Sequence, residues 1–80
     1  MTEPYCVTHP DDLIEGRRYA ITTHAKTVIV GTFKSLRQTG QRLSLQLWDV
    51  AVDHGGVGRT ASACCVPWRS VMKIAELEQT

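Results

Sequence analysis

Basic side chains cluster in the middle third of the sequence, and their chemistry is that of an anion-binding surface. Between Gly16 and Trp48 no residue is acidic and six are basic, namely Arg17, Arg18, Lys26, Lys34, Arg37 and Arg42. The acidic residues lie on either side of this stretch. Such an asymmetry predicts an anionic partner for the middle third. The alternative is that these are solvated residues of strand edges and turns, where cations also prevent aggregation.

Aromatic side chains offer surfaces on which a base can stack. Trp68 follows Pro67 in a predicted turn with Arg69 beside it, an arrangement suited to stacking a base or a peptide. The interpretation that we prefer is that Trp68 plugs the open end of a small barrel, because a large apolar ring is usually structural in a small core. The candidate nucleic-acid-binding residues are Tyr19, Lys34, Arg37, Arg42, Trp68 and Arg69.

No pattern in the sequence favours catalysis, a metal or a cofactor. The glycine-rich stretch 55–58 precedes no helix, so it lacks the helix dipole of a phosphate-binding loop. Asp53 and His54 could act as an acid–base pair, but such residues are often neighbours in a loop by chance, so they are weak evidence of catalysis. The histidines lie in separate predicted turns without the spacing of metal ligands; they are His9, His24 and His54. We therefore expect a binding protein rather than an enzyme, with no cofactor and no metal.

Cysteine usage indicates a reducing compartment. The chain has three cysteines, an odd number, and no Cys-x-x-Cys motif. It also shows no secretion signal and no apolar run of membrane-spanning length. These features predict a cytoplasmic protein with free thiols. Cys64 and Cys65 are neighbours on a predicted strand, so their side chains are expected on opposite faces, one buried and the other partly exposed.

The length of 80 residues predicts one domain, whose core buries too little apolar surface to give it much stability by itself. The chain has no evident disulfide or metal to reinforce that core, so self-association is expected. The hydrophobic fraction of 42% and the charged fraction of 21% are ordinary for a globular protein. We predict a single small domain over residues 1–80, with a loose lead-in at 1–8 and a tail at 78–80.

The stretch from Leu43 to Val52 is the one around which the other elements are predicted to be arranged. Its apolar residues alternate through Leu47, as in a strand that is buried on one face. At Trp48-Asp49 the alternation changes phase, which predicts a bend or a β-bulge. Gly31 in the preceding strand leaves room where a sharply bent strand needs it.

The remaining patterns predict the entry to the fold and its connections. A helical turn is expected near Pro10–Glu15, with Leu13 and Ile14 closing one end of the core. A polar turn spans Arg37–Arg42 and joins the second and third predicted strands. The stretch 53–58 is expected to be a flexible loop.

Five strands are predicted, and together they indicate an all-β, strongly bent, SH3-like barrel preceded by the short helical turn. The last segment, from Val71, also fits a helix by its apolar spacing. We predict a strand there, because the first four strands need a closing partner. The predicted strands are 17–23, 27–36, 43–52, 59–66 and 71–75.

Two short patterns resemble the sequence motifs of the Sm-like family of small barrels. The segment Val28-x-Val30-Gly31-x-Phe33 followed by Leu43-x-Leu45 is similar to the first motif. The segment Val71-Met-Lys-Ile74, after a tight turn, is similar to the closing strand of the second. The resemblance implies a five-stranded barrel, assembly into rings and binding of single-stranded RNA.

The positions that grip RNA in the Sm-like family differ in this sequence. Arg37 and Arg42 stand in the neighbourhoods where the first motif has an Asp and an Asn, and Pro67-Trp68 stands where the second has Arg-Gly. A shared fold does not carry function across such differences. Two functions therefore stay open: binding of single-stranded RNA through the Arg37–Arg42 turn, and docking of a protein partner through an open sheet edge.

Self-association is predicted to use the two open edges of the barrel. The fourth predicted strand, Thr60–Val66, of one copy is expected to pair with the fifth, Val71–Ala75, of the next. Sm-like rings have the same arrangement. The candidate interface residues are Thr60, Ser62, Cys64, Val71 and Lys73.

Overall fold

Six antiparallel strands and two short 3-10 helices make up the computed structural model, which describes residues 6–7 and 9–77. The strands form one sheet in the order β1-β6-β2-β3-β4-β5. This confirms the all-β prediction, with β1 as an additional strand of two residues. The strands are β1 Cys6–Val7, β2 Arg18–Thr23, β3 Val28–Thr39, β4 Arg42–His54, β5 Val57–Pro67 and β6 Val71–Glu76, and the 3-10 helices are Pro10–Asp12 and Trp68–Ser70.

A single hydrophobic core lies on one side of the sheet. Its positions alternate with more exposed ones along β2 and along the first half of β3, as expected of strands with one buried face. All five long strands contribute to it, so the sheet bends around it as a small barrel. The core residues are Leu13, Tyr19, Ile21, Ile29, Phe33, Leu45, Leu47, Val50, Val66 and Ile74.

A β-bulge in β4 produces the change of phase that the sequence predicts. The pairing of β3 with β4 shifts between Val30 and Thr32, so that Asp49 and Val50 together face Gly31. Asp49 has a φ of 50°. The bulge returns Val50 to the core, where it is 2% exposed.

Gly31 allows the two central strands to approach closely at this bulge. A Cβ on this residue would lie 3.1 Å from Leu47 Cβ, 3.1 Å from Val50 Cγ2 and 3.3 Å from the carbonyl oxygen of Trp48. These distances are shorter than ordinary van der Waals contacts. The predicted role of Gly31 is therefore confirmed.

Tight two-residue turns connect β3 to β4 and β4 to β5. Gly40 has a φ of 61°, and Gly55 and Gly56 have φ values of 61° and 86°. Positive φ at both central residues, as at Gly55 and Gly56, is what a type I′ hairpin turn requires. The prediction of a flexible loop over 53–58 is therefore wrong, because the strands continue to the two glycines and Asp53 Oδ1 accepts the N–H of Gly56 at 3.1 Å.

The N-terminal helical turn is shorter than predicted. The 3-10 helix covers Pro10–Asp12, and Leu13 follows it in an extended conformation. Leu13 is buried, as predicted. Ile14 is 48% exposed and does not close the core, because the chain has already left the helical conformation before this residue.

The predicted lead-in at 1–8 contains strand β1, whose two residues pair with Ile74 and Ala75 of β6. The prediction of a loose segment is wrong for these two residues, because β6 offers them an open edge. The rest of the lead-in and the predicted tail at 78–80 lie outside the described residues.

The last segment is a strand, as predicted, and not the alternative helix. β6 pairs with β2, with Glu76 opposite Tyr19 at one end and Val71 opposite Thr23 at the other. Ile74 is fully buried opposite Ile21. The need of the sheet for a closing partner therefore outweighs the helix propensity of this segment.

Candidate functional site

One side of the β3–β4 hairpin faces away from the core, and we call it the outer face. Its residues alternate with those that point into the core. Residues opposite each other across the two strands share a face, as Arg37 and Ser44 do. The outer face consists of Thr32, Lys34, Ser35, Arg37 and Thr39 from β3 and Arg42, Ser44, Gln46 and Trp48 from β4.

Three of the predicted nucleic-acid-binding residues lie together on the outer face: Lys34, Arg37 and Arg42. All three are exposed, and within the described part of the chain none of them belongs to an ion pair. Arg37 lies opposite Ser44, which lies opposite Pro67 of β5. The hairpin thus places these cations on one surface that borders the turn before β6.

Trp48 lies on the outer face beside the cations, although its sequence context did not predict a place in the site. Its side chain is 50% exposed, and Lys34 Nζ lies 4.3 Å from the centroid of its ring, as in a cation–π interaction. Its neighbours across the sheet are Thr32 and Ala63, and neither is large enough to cover an indole. The signals in the sequence were the alternation through Leu47, which puts this ring outside, and the change of phase after it, which puts Val50 inside.

Two other basic residues have structural partners. Arg18 Nη1 donates to Thr32 Oγ1 at 3.1 Å, and both terminal nitrogens of Arg18 donate to the carbonyl oxygen of Asp49 at 3.3 Å. Arg17 forms an ion pair with Glu76, and the hydrogen bond to this carboxylate raises the pKa of Arg17. These arginines therefore hold β2 to its surroundings and are not free to bind a ligand.

Tyr19 is a core residue, so its prediction as a stacking surface for a base is wrong. The side chain is 1% exposed. Its ring meets Phe33 edge to face, with the centroids 6.4 Å apart, and its hydroxyl oxygen accepts the N–H of Ile14 at 2.8 Å. The alternation along β2 buries Tyr19 together with Ile21.

Trp68 and Arg69 share the second 3-10 helix but have different surroundings. Trp68 is half-buried and packs against the core, as the preferred interpretation of a plug predicts. Arg69 is exposed and lines a groove of about 480 Å³ together with the apolar residues Ile29 and Val66. Neither side chain belongs to the outer face, so the structure does not bring the predicted nucleic-acid-binding residues into one site.

β5 is the outermost strand of the sheet, and among the described strands only β4 pairs with it. It is 11 residues long and exposed along most of its length, including the predicted interface residues Thr60 and Ser62. Its one charged residue is Arg59. A long, unpaired and nearly uncharged edge is a template for pairing with another chain.

The second predicted interface strand, β6, has a shorter open edge than the sequence indicated. β1 pairs with it at Ile74 and Ala75, which leaves Val71–Lys73 open with respect to the described strands. Lys73 is exposed, and Val71 is half-buried against the core. A strand that pairs along the whole of β6 must therefore replace β1.

The two neighbouring cysteines lie on opposite faces of β5, as predicted, and both thiols are free. Cys64 is half-buried against the core opposite Leu47, and Cys65 is exposed opposite Gln46. Burial raises the pKa of the Cys64 thiol. Cys64 was predicted as an interface residue, but its side chain faces the core, so only its backbone lies on the free edge.

The described residues include no group of three or more His, Cys, Asp or Glu side chains that could hold a metal ion. None of the helices in residues 9–77 is long and apolar enough to cross a membrane. His54 Nδ1 lies 2.6 Å from the hydroxyl oxygen of Thr27, and Asp53 accepts the N–H of Gly56. These two side chains therefore hold the ends of the hairpins.

Solved structures of low sequence identity share this architecture. A heptameric archaeal Sm protein has a TM-score of 0.66 and 19% identity, over 85% of this chain and 93% of that chain. A chain of the NatC complex bound to CoA has a TM-score of 0.64 and 22% identity, over 86% of this chain and 84% of that chain. No protein-family model matches the sequence, and no curated protein matches it significantly.

The likeness shows that the chain is a small domain with an Sm-like fold. This confirms the resemblance inferred from the two sequence motifs.

Proposed function

We propose that this Sm-like domain is a cytoplasmic subunit of a homo-oligomer, in which copies pair through the free edge of β5. The observation that carries the proposal is the edge itself, which is 11 residues long, exposed and charged only at Arg59. Edge strands of monomers are normally short, charged or covered. A partner strand would supply the hydrogen bonds that this edge lacks. The free thiols of Cys64 and Cys65 fit a reducing compartment.

The partner strand in this proposal is β6 of the next copy. Exchange of the two-residue β1 for the much longer β5 forms more ladder hydrogen bonds than it breaks. The small core favours assembly as well, since an 80-residue chain buries little apolar surface by itself. The interface residues are Thr60, Ser62 and Cys64 of one copy and Val71 and Lys73 of the next.

Both solved neighbours support an assembly role. The archaeal Sm protein is heptameric, and the other neighbour belongs to the NatC complex. The first favours a ring of identical copies. The second belongs to a protein complex, which favours a different protein as the partner.

Light scattering at micromolar concentration tests the proposal, with a mass of several times 8.9 kDa as the expected result. Ser62→Pro is the edge-blocking variant, because proline lacks the N–H that a partner strand requires. The β4–β5 register passes from Ala61 to Ala63 without using Ser62, so we expect the variant to fold, which circular dichroism checks. Ser62→Ala is the matched control and should assemble like the parent.

Two results would count against the proposal. A monomeric parent protein would exclude the homo-oligomer and leave docking of a different protein as the use of the edge. An unchanged mass for correctly folded Ser62→Pro would remove β5 from the interface. Thr60→Lys, which adds a charge to the same edge, should weaken assembly in the same way.

Binding of single-stranded RNA is a second candidate function, and the three cations on the outer face favour it. Lys34, Arg37 and Arg42 are exposed on one surface of one hairpin. No acidic residue occurs between Gly16 and Trp48 to compete for them. Phosphate contacts make affinity fall steeply with salt, whereas pairing of strand edges does not.

A fluorescent uridine- or adenosine-rich oligomer tests this candidate. The double variant Arg37→Ala/Arg42→Ala should weaken binding and reduce the salt slope by about 0.7 for each phosphate that the protein no longer binds. Neither side chain belongs to the core, so stability should not change. Gln41→Ala, in the same turn, is the control and should bind like the parent. If neither oligonucleotide binds even at low salt, the RNA function is excluded.

A further inference from the structure

We propose that Trp48 is the base-stacking residue of a single-stranded nucleic-acid track along the outer face. The inference rests on the RNA candidate above and adds to it a residue and a path. The path runs from Arg42 at the tip of the hairpin to Trp48 in the middle of β4. Strands rise by about 3.3 Å per residue, so this path is roughly 20 Å long, enough for several nucleotides.

The exposure of Trp48 distinguishes it from a structural tryptophan. Trp48 is 50% exposed, whereas Trp68 is more deeply buried and packs against the core. Thr32 and Ala63, which lie on either side of Trp48 across the sheet, are too short to shield it. An open aromatic face in the middle of a sheet can stack on any base, because every base has a π-face.

The backbone beside Trp48 is held in place before any ligand arrives. Asp49 adopts a φ of 50° in the bulge, and its carbonyl oxygen accepts hydrogen bonds from both terminal nitrogens of Arg18 at 3.3 Å. Arg18 also donates to Thr32 at 3.1 Å. A stacking residue on a fixed strand loses little freedom on binding, and this favours affinity.

Lys34 provides a cation at the stacking position. Its Nζ lies 4.3 Å from the centroid of the Trp48 ring. An exposed cation–π contact is weaker than the stacking of a base on an aromatic ring. A base can therefore replace the ammonium group over the indole, and the displaced ammonium then lies close to the phosphate of the same nucleotide.

The charge of the outer face selects a nucleic acid over a peptide. Its members are polar apart from Trp48, and its charged members are Lys34, Arg37 and Arg42, without an acidic residue. Arg37 is three positions from Lys34 on β3, about 10 Å along the strand, so successive cations can contact different phosphates. A single aromatic ring on an otherwise polar, cationic strip gives an apolar peptide little surface to bury.

Tryptophan fluorescence tests the assignment directly. In a Trp68→Phe background, Trp48 is the sole tryptophan of the chain. Titration of this protein with a uridine oligomer of about ten nucleotides at low salt should quench the emission saturably. Fluorescence anisotropy of a labelled oligomer should give the same dissociation constant.

Substitutions at Trp48 separate stacking from charge. Trp48→Leu should weaken binding by roughly 5- to 150-fold, the range expected for one stacked base, and should leave the salt slope unchanged because every phosphate-binding cation is retained. Trp48→Phe should recover part of the affinity. Val28→Ala, which truncates an exposed apolar residue elsewhere on β3, should bind like the parent.

The outcomes distinguish this assignment from the RNA candidate itself. Salt-sensitive binding with unchanged Trp48 emission and unchanged affinity of Trp48→Leu would overturn the assignment and leave the RNA candidate standing. Absence of binding at low salt would overturn both. If folded Trp48→Leu fails to assemble but still binds the oligonucleotide like the parent, this face is a protein surface and the assignment is overturned. If Trp48→Leu does not fold, the Trp48→Phe affinity and the fluorescence titration decide.

Discussion

The backbone N–H of Ile14 donates to the hydroxyl oxygen of Tyr19 at 2.8 Å, and this bond ties the N-terminal segment to the barrel core. The side chain of Tyr19 is 1% exposed, so its hydroxyl group depends on a protein partner. Buried polar groups are destabilising when they lack one. The bond therefore fixes the position at which the chain enters β2.

Tyr19→Phe should lower the free energy of unfolding by about 1 kcal/mol, because it removes this hydrogen bond and keeps the ring. Urea denaturation measures the change. The affinity for an oligonucleotide should stay the same, since the hydroxyl group is inside the barrel. A loss of affinity at unchanged stability would show that Tyr19 reaches the ligand.

Gly31→Ala should destabilise the fold by about 1–3 kcal/mol, the usual effect of overpacking a core. The added Cβ would lie 3.1 Å from both Leu47 and Val50, so the bulge has to shift. Gly58→Ala is the matched control, because no atom lies within 4 Å of its Cβ position. This control should be neutral or stabilising by up to about 1 kcal/mol. Equal midpoints of urea unfolding for the two variants would contradict the close approach at Gly31.

The two cysteines of β5 should differ in reactivity. Burial raises the pKa of Cys64, so its thiol stays protonated to a higher pH than an ordinary thiol, and only the thiolate is nucleophilic. Two single-cysteine proteins, both with Cys6→Ser, separate the thiols: Cys65→Ser retains Cys64, and Cys64→Ser retains Cys65. Near pH ~8 the protein that retains Cys64 should be alkylated more slowly than the other, and its rate should rise at higher pH. Mass spectrometry follows the reaction.

Denaturation is the control for this difference. In urea both thiols are exposed, so the two single-cysteine proteins should react at the same rate. Faster alkylation of Cys64 than of Cys65 in the native protein would contradict the burial of Cys64.

Removal of residues 1–7 should strengthen assembly. The truncation deletes β1 and frees the β6 edge at Ile74 and Ala75, so the incoming strand no longer competes with an internal one. Light scattering over a dilution series should show oligomers that persist to lower concentration. Removal of residues 1–5, which keeps Cys6 and Val7, is the control. Weaker assembly after the longer truncation alone would make β1 part of the interface instead of its competitor.

The sequence predicted those features of the fold that depend on local alternation and turn chemistry. The bulge after Trp48 and the room left by Gly31 follow from the spacing of apolar residues along two strands. The pairing of β1 with β6 depends on an edge that is distant in sequence, so local patterns do not reveal it. The turn at Gly55–Gly56 was missed because glycines at positive φ form tight turns as well as loops.

The candidate site was only partly predictable, because charge is visible in the sequence but the direction of each side chain depends on the fold. Composition identified Lys34, Arg37 and Arg42, since clustered charge is visible without coordinates. Which aromatic residue lies beside these cations depends on whether its side chain points into the barrel or away from it. Alternation along β2 puts Tyr19 inside the barrel, and alternation along β4 through Leu47 puts Trp48 outside, before the bulge returns Val50 to the core.

The large separation in sequence between the paired strands β2 and β6 has a consequence for the order in which the barrel forms. Ile21 of β2 pairs with Ile74 of β6 across most of the chain, whereas β3, β4 and β5 are joined by two-residue turns. Contacts between distant residues form slowly, because a long loop must close first. The β3–β4–β5 meander can therefore pair before β6 docks on β2. A folding chain thus exposes the edge of β5 to its neighbours before its own core is complete.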